Sequence, residues 1–146
     1  MSGKIVCAFI LLTLFSCEEA EKTFNYIEVT ITGEAILVEL EGDILIMDRG
    51  LEGEPVEMSL VKAGGERFDD TGTTGFGGIT SITTTFNLYK EQPIKFIARP
   101  VNYPELLQSV YFTWEEAESI AGGGGLGQPR TASKKLSLIF GVPVDN

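Results

Sequence analysis

The chain has 146 residues, with 21 Asp and Glu against 11 Lys and Arg and no histidine, for a net charge of −10 at pH 7. Without histidine, Ser-His-Asp and Cys-His nucleophiles, histidine-ligated zinc and imidazole acid–base chemistry are all excluded. The acidic balance argues against nucleic acid as a partner, because phosphate binding needs Lys and Arg gathered on one face and the nearest approach is Arg130 with Lys134 and Lys135.

In chain order, Lys4 precedes an apolar run over residues 5–15 that stops at Ser16 and Cys17. The run is shorter than the about 20 apolar residues of a membrane-spanning helix. It has the charged start, apolar middle and small-residue end of a secretory signal peptide, so residues 1–16 are expected to be removed. Leu14-Phe15-Ser16-Cys17 resembles the lipobox of bacterial lipoproteins. The resemblance implies that Cys17 becomes the first mature residue and carries acyl chains, two or more of which hold a protein stably on a membrane. A leader cleaved without lipidation is the alternative. The acidic stretch Glu18-Glu19-Ala20-Glu21-Lys22 resembles the surface-export signal of Bacteroidetes-type lipoproteins, which implies an outer-membrane anchor facing the cell surface. A solvated linker behind a periplasm-facing anchor is the other reading.

Cleavage leaves ten basic against twenty-one acidic residues, a net charge of −11, and one cysteine, since Cys7 lies in the leader. An internal disulfide is then impossible. Residues 17–24 form a tether that reaches at most roughly 25 Å. Residues 25–146 fit a single domain.

That domain reads as strands, because apolar and polar residues alternate with period two. Ile27, Val29 and Ile31 share one face of residues 26–32, and Gly33-Glu34 is expected to turn the chain. Residues 35–40 resume with Ile36, Val38 and Leu40 inward, and Gly42-Asp43 supplies a second turn before residues 44–47. Val56, Met58 and Leu60 form the next inward set, followed by a turn at Gly64-Gly65. Residues 69–78 carry too much glycine for a strand interior and predict a loop with a possible edge of β pairing. Ile82, Thr84, Phe86 and Leu88 share one face of a longer strand, and Ile94, Phe96 and Ala98 share one face of the next. Residues 107–114 predict an aromatic strand, residues 115–121 a short helix ended by Gly122, and residues 135–140 a last strand.

Some eight short strands with frequent turns and almost no helix give an all-β fold, an antiparallel two-sheet sandwich, with a small barrel as the alternative. Residues 53–99, from Gly53-Glu54-Pro55-Val56 through the threonine- and glycine-rich turn to Gln92-Pro93-Ile94-Lys95-Phe96, resemble the immunoglobulin-like and transthyretin-like modules of bacterial surface proteins. The resemblance implies presentation or binding rather than chemistry.

Three groups of residues are candidates for a site. Asp70-Thr71-Gly72-Thr73 matches the aspartic-protease signature, with Ile139-Phe140-Gly141 resembling the element that follows downstream in retroviral-type enzymes, although Asp, Thr and Gly are also common turn formers. Asp69 and Asp70 are candidate calcium ligands or a solvated acidic turn. Tyr103, Tyr111 and Trp114, with Phe112, form either a stacking platform for sugar rings or part of the core. The glycine run at residues 122–125 lacks the lysine of a phosphate-binding loop, and no cofactor is expected. The expectation is a non-catalytic, lipid-anchored envelope module that binds a protein or glycan partner. A carbohydrate-binding module comes second and an aspartic-type protease third.

Overall fold

The computed structural model describes residues 25–144. The leader, Cys17 and the acidic tether lie outside them. The described chain is an all-β sandwich of two sheets, with one short helix.

The first strand, β1 (Tyr26–Glu41), runs without a break through Gly33 and Glu34, where a turn was expected. Gly33 continues the inward face, and a Cβ there would lie 2.3 Å from the Phe96 ring. The glycine is thus a socket for an aromatic ring of the facing sheet. Because the phase does not reset, Ala35 and Leu37 follow Ile27, Val29 and Ile31 into the core. Ile36, Val38 and Leu40, expected inward, fall on the alternate positions.

The turn at Gly42 and Asp43 leads to β2 (Ile44–Gly50) as expected. Val38 faces Gly50 but Glu39 faces Ile46, so Met47, Asp48 and Arg49 bulge out of β2 as three extra residues. The second sheet begins with β3 (Pro55–Lys62), which turns at Gly64 and Gly65 into β4 (Arg67–Thr73). The first half of the segment expected to be a loop with an edge of β pairing, residues 69–73, is therefore a regular edge strand. Its glycine is used for close approach, since a Cβ on Gly72 would lie 2.2 Å from Thr80 Oγ1 and 2.9 Å from Met58 Cε.

After a 3₁₀ turn at Phe76–Gly78, β5 (Ile79–Tyr89) returns to the first sheet and pairs with β1 from Tyr26 to Ile36. The next strands, β6 (Ile94–Pro100) and β7 (Gln108–Phe112), complete the second sheet in the order β4-β3-β6-β7. Trp114 does not extend β7. It opens the helix α1 (Trp114–Ile120), where Thr113 and Glu116 form a reciprocal capping box. A two-residue β8 (Gly122–Gly123) then pairs with the start of β9 (Arg130–Pro143). This last strand starts earlier than expected, because its polar first five residues, 130–134, carry only Ala132 inward. It runs parallel to β1 from Ile27–Arg130 to Leu40–Pro143, the one parallel pair among the described strands.

The core lies between the sheets, with Phe96, Phe112 and Phe140 fully buried at its centre. Among the described residues one cation is buried beside it. Lys62 is 8% exposed, and its Nζ donates to the Asn87 carbonyl at 2.9 Å, meets Glu66 at 2.9 Å and lies 5.6 Å from the Tyr89 ring centre. Lys62→Ala is expected to cost about 1–2 kcal/mol in urea unfolding, because it strands that carbonyl and removes the packed stem; Lys62→Met should recover the packing part.

Candidate functional site

Pairing register brings alternate residues of the second sheet into rows on its outer face. Arg67, Val61, Lys95 and Tyr111 lie in one row. Asp69, Ser59, Ile97 and Ser109 form the second, and Thr71, Glu57 and Arg99 the third. Opposite charges meet within this grid. Arg67 donates from Nε and Nη2 to Asp69 at 2.9 and 2.8 Å, and the Ser59 hydroxyl donates to the same carboxylate. Arg99 grips Glu57 through Nε, at 3.0 Å, and Nη2. Lys95 Nζ stands 5.4 Å from the centre of the Tyr111 ring, whose residue is 53% exposed. Between the first two strands lies a shallow depression of about 390 Å³ bordered by Glu57, Ser59, Arg67, Asp69 and Thr71.

The Arg67 hydrogen bonds first, and then the Ser59 hydroxyl, hold the Asp69 carboxyl below its ordinary value, and Asp69 holds the Arg67 guanidinium above its own. Both shifts favour the charged forms. A lowered carboxylate stabilises the fold above its unfolded value, and that contribution is lost as pH falls through the lowered folded value. The contact is solvent-exposed, so the effect is small. Urea midpoints measured through acid, below about pH 4, should decline slightly less steeply in Asp69→Asn than in the parent.

The expected site residues are only partly brought together. Asp69 and Tyr111 share the grid. Asp70 points to the other side of β4, where its Oδ1 accepts the Thr71 N–H at 2.9 Å, so the two neighbouring carboxylates diverge rather than chelate. Among the described residues no three metal-ligating side chains converge. Trp114 is buried in the core at 8% exposure, and Tyr103 packs against that core, so neither joins Tyr111 in one surface. Arg67, Lys95, Arg99, Glu57 and Ser59 escaped the sequence reading. Their alternation marked a solvent face, but which of them become neighbours depends on strand order, which alternation does not encode.

The grid is a flat polar surface of fixed donors and acceptors carried on strands. It can recognise a ligand by hydrogen bonding and charge, with Tyr111 supplying apolar area at its edge. No family model matches the chain, and no curated protein is significantly similar to it.

Proposed function

We propose that this protein is a lipoprotein of the cell envelope, exported by its signal peptide, held on the outer membrane through acyl chains on Cys17 and facing the cell surface. It does no chemistry of its own, and its β-sandwich uses the outer face of the second sheet to bind a protein partner. The observation that carries the binding role is the ordered grid of Arg67–Asp69, Arg99–Glu57 and Lys95–Tyr111 on one open face. Such a surface offers paired charges and one aromatic anchor, the composition of a recognition patch rather than of a cleft. Asp70, exposed in the middle of an edge strand and bonded to its own neighbour, lacks the buried, paired setting that a protease aspartate needs. A glycan partner is the second reading, supported by the exposed ring of Tyr111 and weakened by the burial of Trp114.

The anchor is tested by mass spectrometry of the native N-terminus: an acylated Cys17 is expected, and a chain retaining Met1 overturns it. The binding face is tested by placing a photocrosslinking residue at position 111 or, on the opposite sheet, at Ser133 in cells. A protein adduct from position 111 alone is expected. Adducts from Ser133 alone, or none from either, overturn the assignment.

A further inference from the structure

The second sheet ends at β4 on one side and at β7 on the other, and register decides which main-chain groups each edge leaves over. Odd residues of β3 and β6 bond to each other. At the two ends of that ladder the Val101 N–H meets the Pro55 carbonyl at 3.0 Å, and the Ala63 N–H meets the Pro93 carbonyl at 3.1 Å. The even residues of β6 therefore serve β7, through the pairs Ile94–Phe112, Phe96–Val110 and Ala98–Gln108. What remains on β7 is the N–H and C=O of Ser109 and Tyr111, which point away from the sheet. By the same alternation β4 turns outward the N–H and C=O of Arg67, Asp69 and Thr71.

The edges differ in how they are guarded. On β4 the Asp70 carboxylate takes the free Thr71 N–H at 2.9 Å, and the Arg67–Asp69 pair sets charges along the strand. In the first sheet β2 is bulged and β9 carries Lys134 and Lys135. Capping, charge and bulging are the devices that keep a foreign strand from pairing. The β7 edge, Gln-Ser-Val-Tyr-Phe, has no charge, no proline and no bulge. Ser109 and Tyr111 are exposed, and no described residue bonds to their main-chain groups. The Gln108 amide donates to the Ile139 carbonyl at 2.9 Å, which fixes β7 against the first sheet at one end.

This chemistry selects the occupant. Donors and acceptors repeating along an open strand are met by another extended polypeptide. Lys95 adds a sign, because Arg67 and Arg99 are paired with carboxylates whereas Lys95 stands over the Tyr111 ring with no ion pair among the described residues. In the row from Lys95 to Tyr111 the next place outward belongs to an added strand, and an acid there would meet the cation. A second copy paired through its own β7 brings no acid to that place. It would also set the two grids side by side in one plane, both uncovered, and bury less than the about 1,000 Å² of a stable association.

We propose that β7 is a strand-addition site: an extended segment of the protein partner pairs with the Ser109 and Tyr111 main chain as a fifth strand of the second sheet and sets an acidic side chain beside Tyr111, within reach of Lys95. The proposal rests on the reading that the outer face of this sheet binds a protein, and it specifies the mode and the charge of what is bound.

The test places benzoylphenylalanine at position 111 of the full chain in the cells that make it and compares the yield of protein adduct among variants. Because the Ser109 N–H serves no ladder bond within the sheet, proline there removes the outward donor and leaves the sheet's own pairing intact. Ser109→Ala should leave the yield unchanged and Ser109→Pro should lower it about tenfold. Lys95→Glu should lower it by a similar factor, and Thr71→Pro on the guarded edge should not change it. Ser109→Lys, which sets a charge at the open edge, replaces the proline variant if that one melts early. No adduct from position 111 in the parent overturns the binding face and the proposal together. An adduct that survives Ser109→Pro overturns strand addition alone, and one that survives Lys95→Glu overturns the acidic segment. An adduct of two copies of this chain assigns the edge to self-pairing and overturns the proposal equally.

Discussion

Gly33→Ala is expected to destabilise the protein by about 2–3 kcal/mol, an unusually large cost for adding one methyl group. The new Cβ would stand 2.3, 2.4 and 2.7 Å from three atoms of the Phe96 ring. Phe96 is fully buried, between Leu60 on β3 and Val110 on β7 in its own sheet, so the ring has no open space to enter. Alanine would restrict the unfolded chain and return at most about 1 kcal/mol, which is too little to compensate. Phe96→Leu in the same background should relieve part of the clash, so the double variant should be more stable than the sum of the single losses predicts, by about 1 kcal/mol or more. Urea unfolding of the four proteins measures this. A neutral Gly33→Ala would mean that Phe96 does not fill the space above Gly33 and that the chain turns there after all.

Trp114→Ala is the second large effect, with an expected loss of about 3–5 kcal/mol. The indole sits at the first turn of α1, 8% exposed, in the same cluster as Phe112, Ala117 and Phe140. Its removal opens a cavity in the core beneath the first turn of the helix. Tyr111→Ala, only three residues away but on the solvent face, should change stability by no more than about 0.5 kcal/mol. Far-UV circular dichroism in urea compares the two without relying on the fluorescence of the only tryptophan. The contrast bears on function as well: a ligand lost in Trp114→Ala would report unfolding, whereas one lost in Tyr111→Ala would report contact.

Strand identity was legible wherever one face is consistently apolar. Val56, Met58 and Leu60, or Ile94, Phe96 and Ala98, could be assigned inward from alternation alone, and these residues are buried. The errors fall on glycine and on polar strand ends. Gly33 carries the same local signal whether it reverses a chain or makes room for a ring, and only the partner strand distinguishes the two. Gly72 is the same case on an edge strand. Trp114 illustrates a different limit, since its period-two position in an aromatic run was overruled by the Thr113 cap, which starts a helix one residue earlier than expected. The candidate site was the least legible part. Asp69 and Tyr111 were singled out for chemistries that need neighbours: Arg67 stands two residues before Asp69 on the same strand and could be read from alternation, whereas Ser59 beside Asp69 and Lys95 beside Tyr111 come from strand order and register.

The parallel ladder between β1 and β9 also sets how the domain carries mechanical load. Because the two strands run side by side in the same direction, the amino end of one and the carboxyl end of the other leave from opposite ends of the molecule. Tension applied between those two ends acts along the ladder, so its evenly spaced hydrogen bonds resist together in shear instead of opening one at a time. A domain held at its amino end and pulled from its far tip would therefore meet the force with its longest seam.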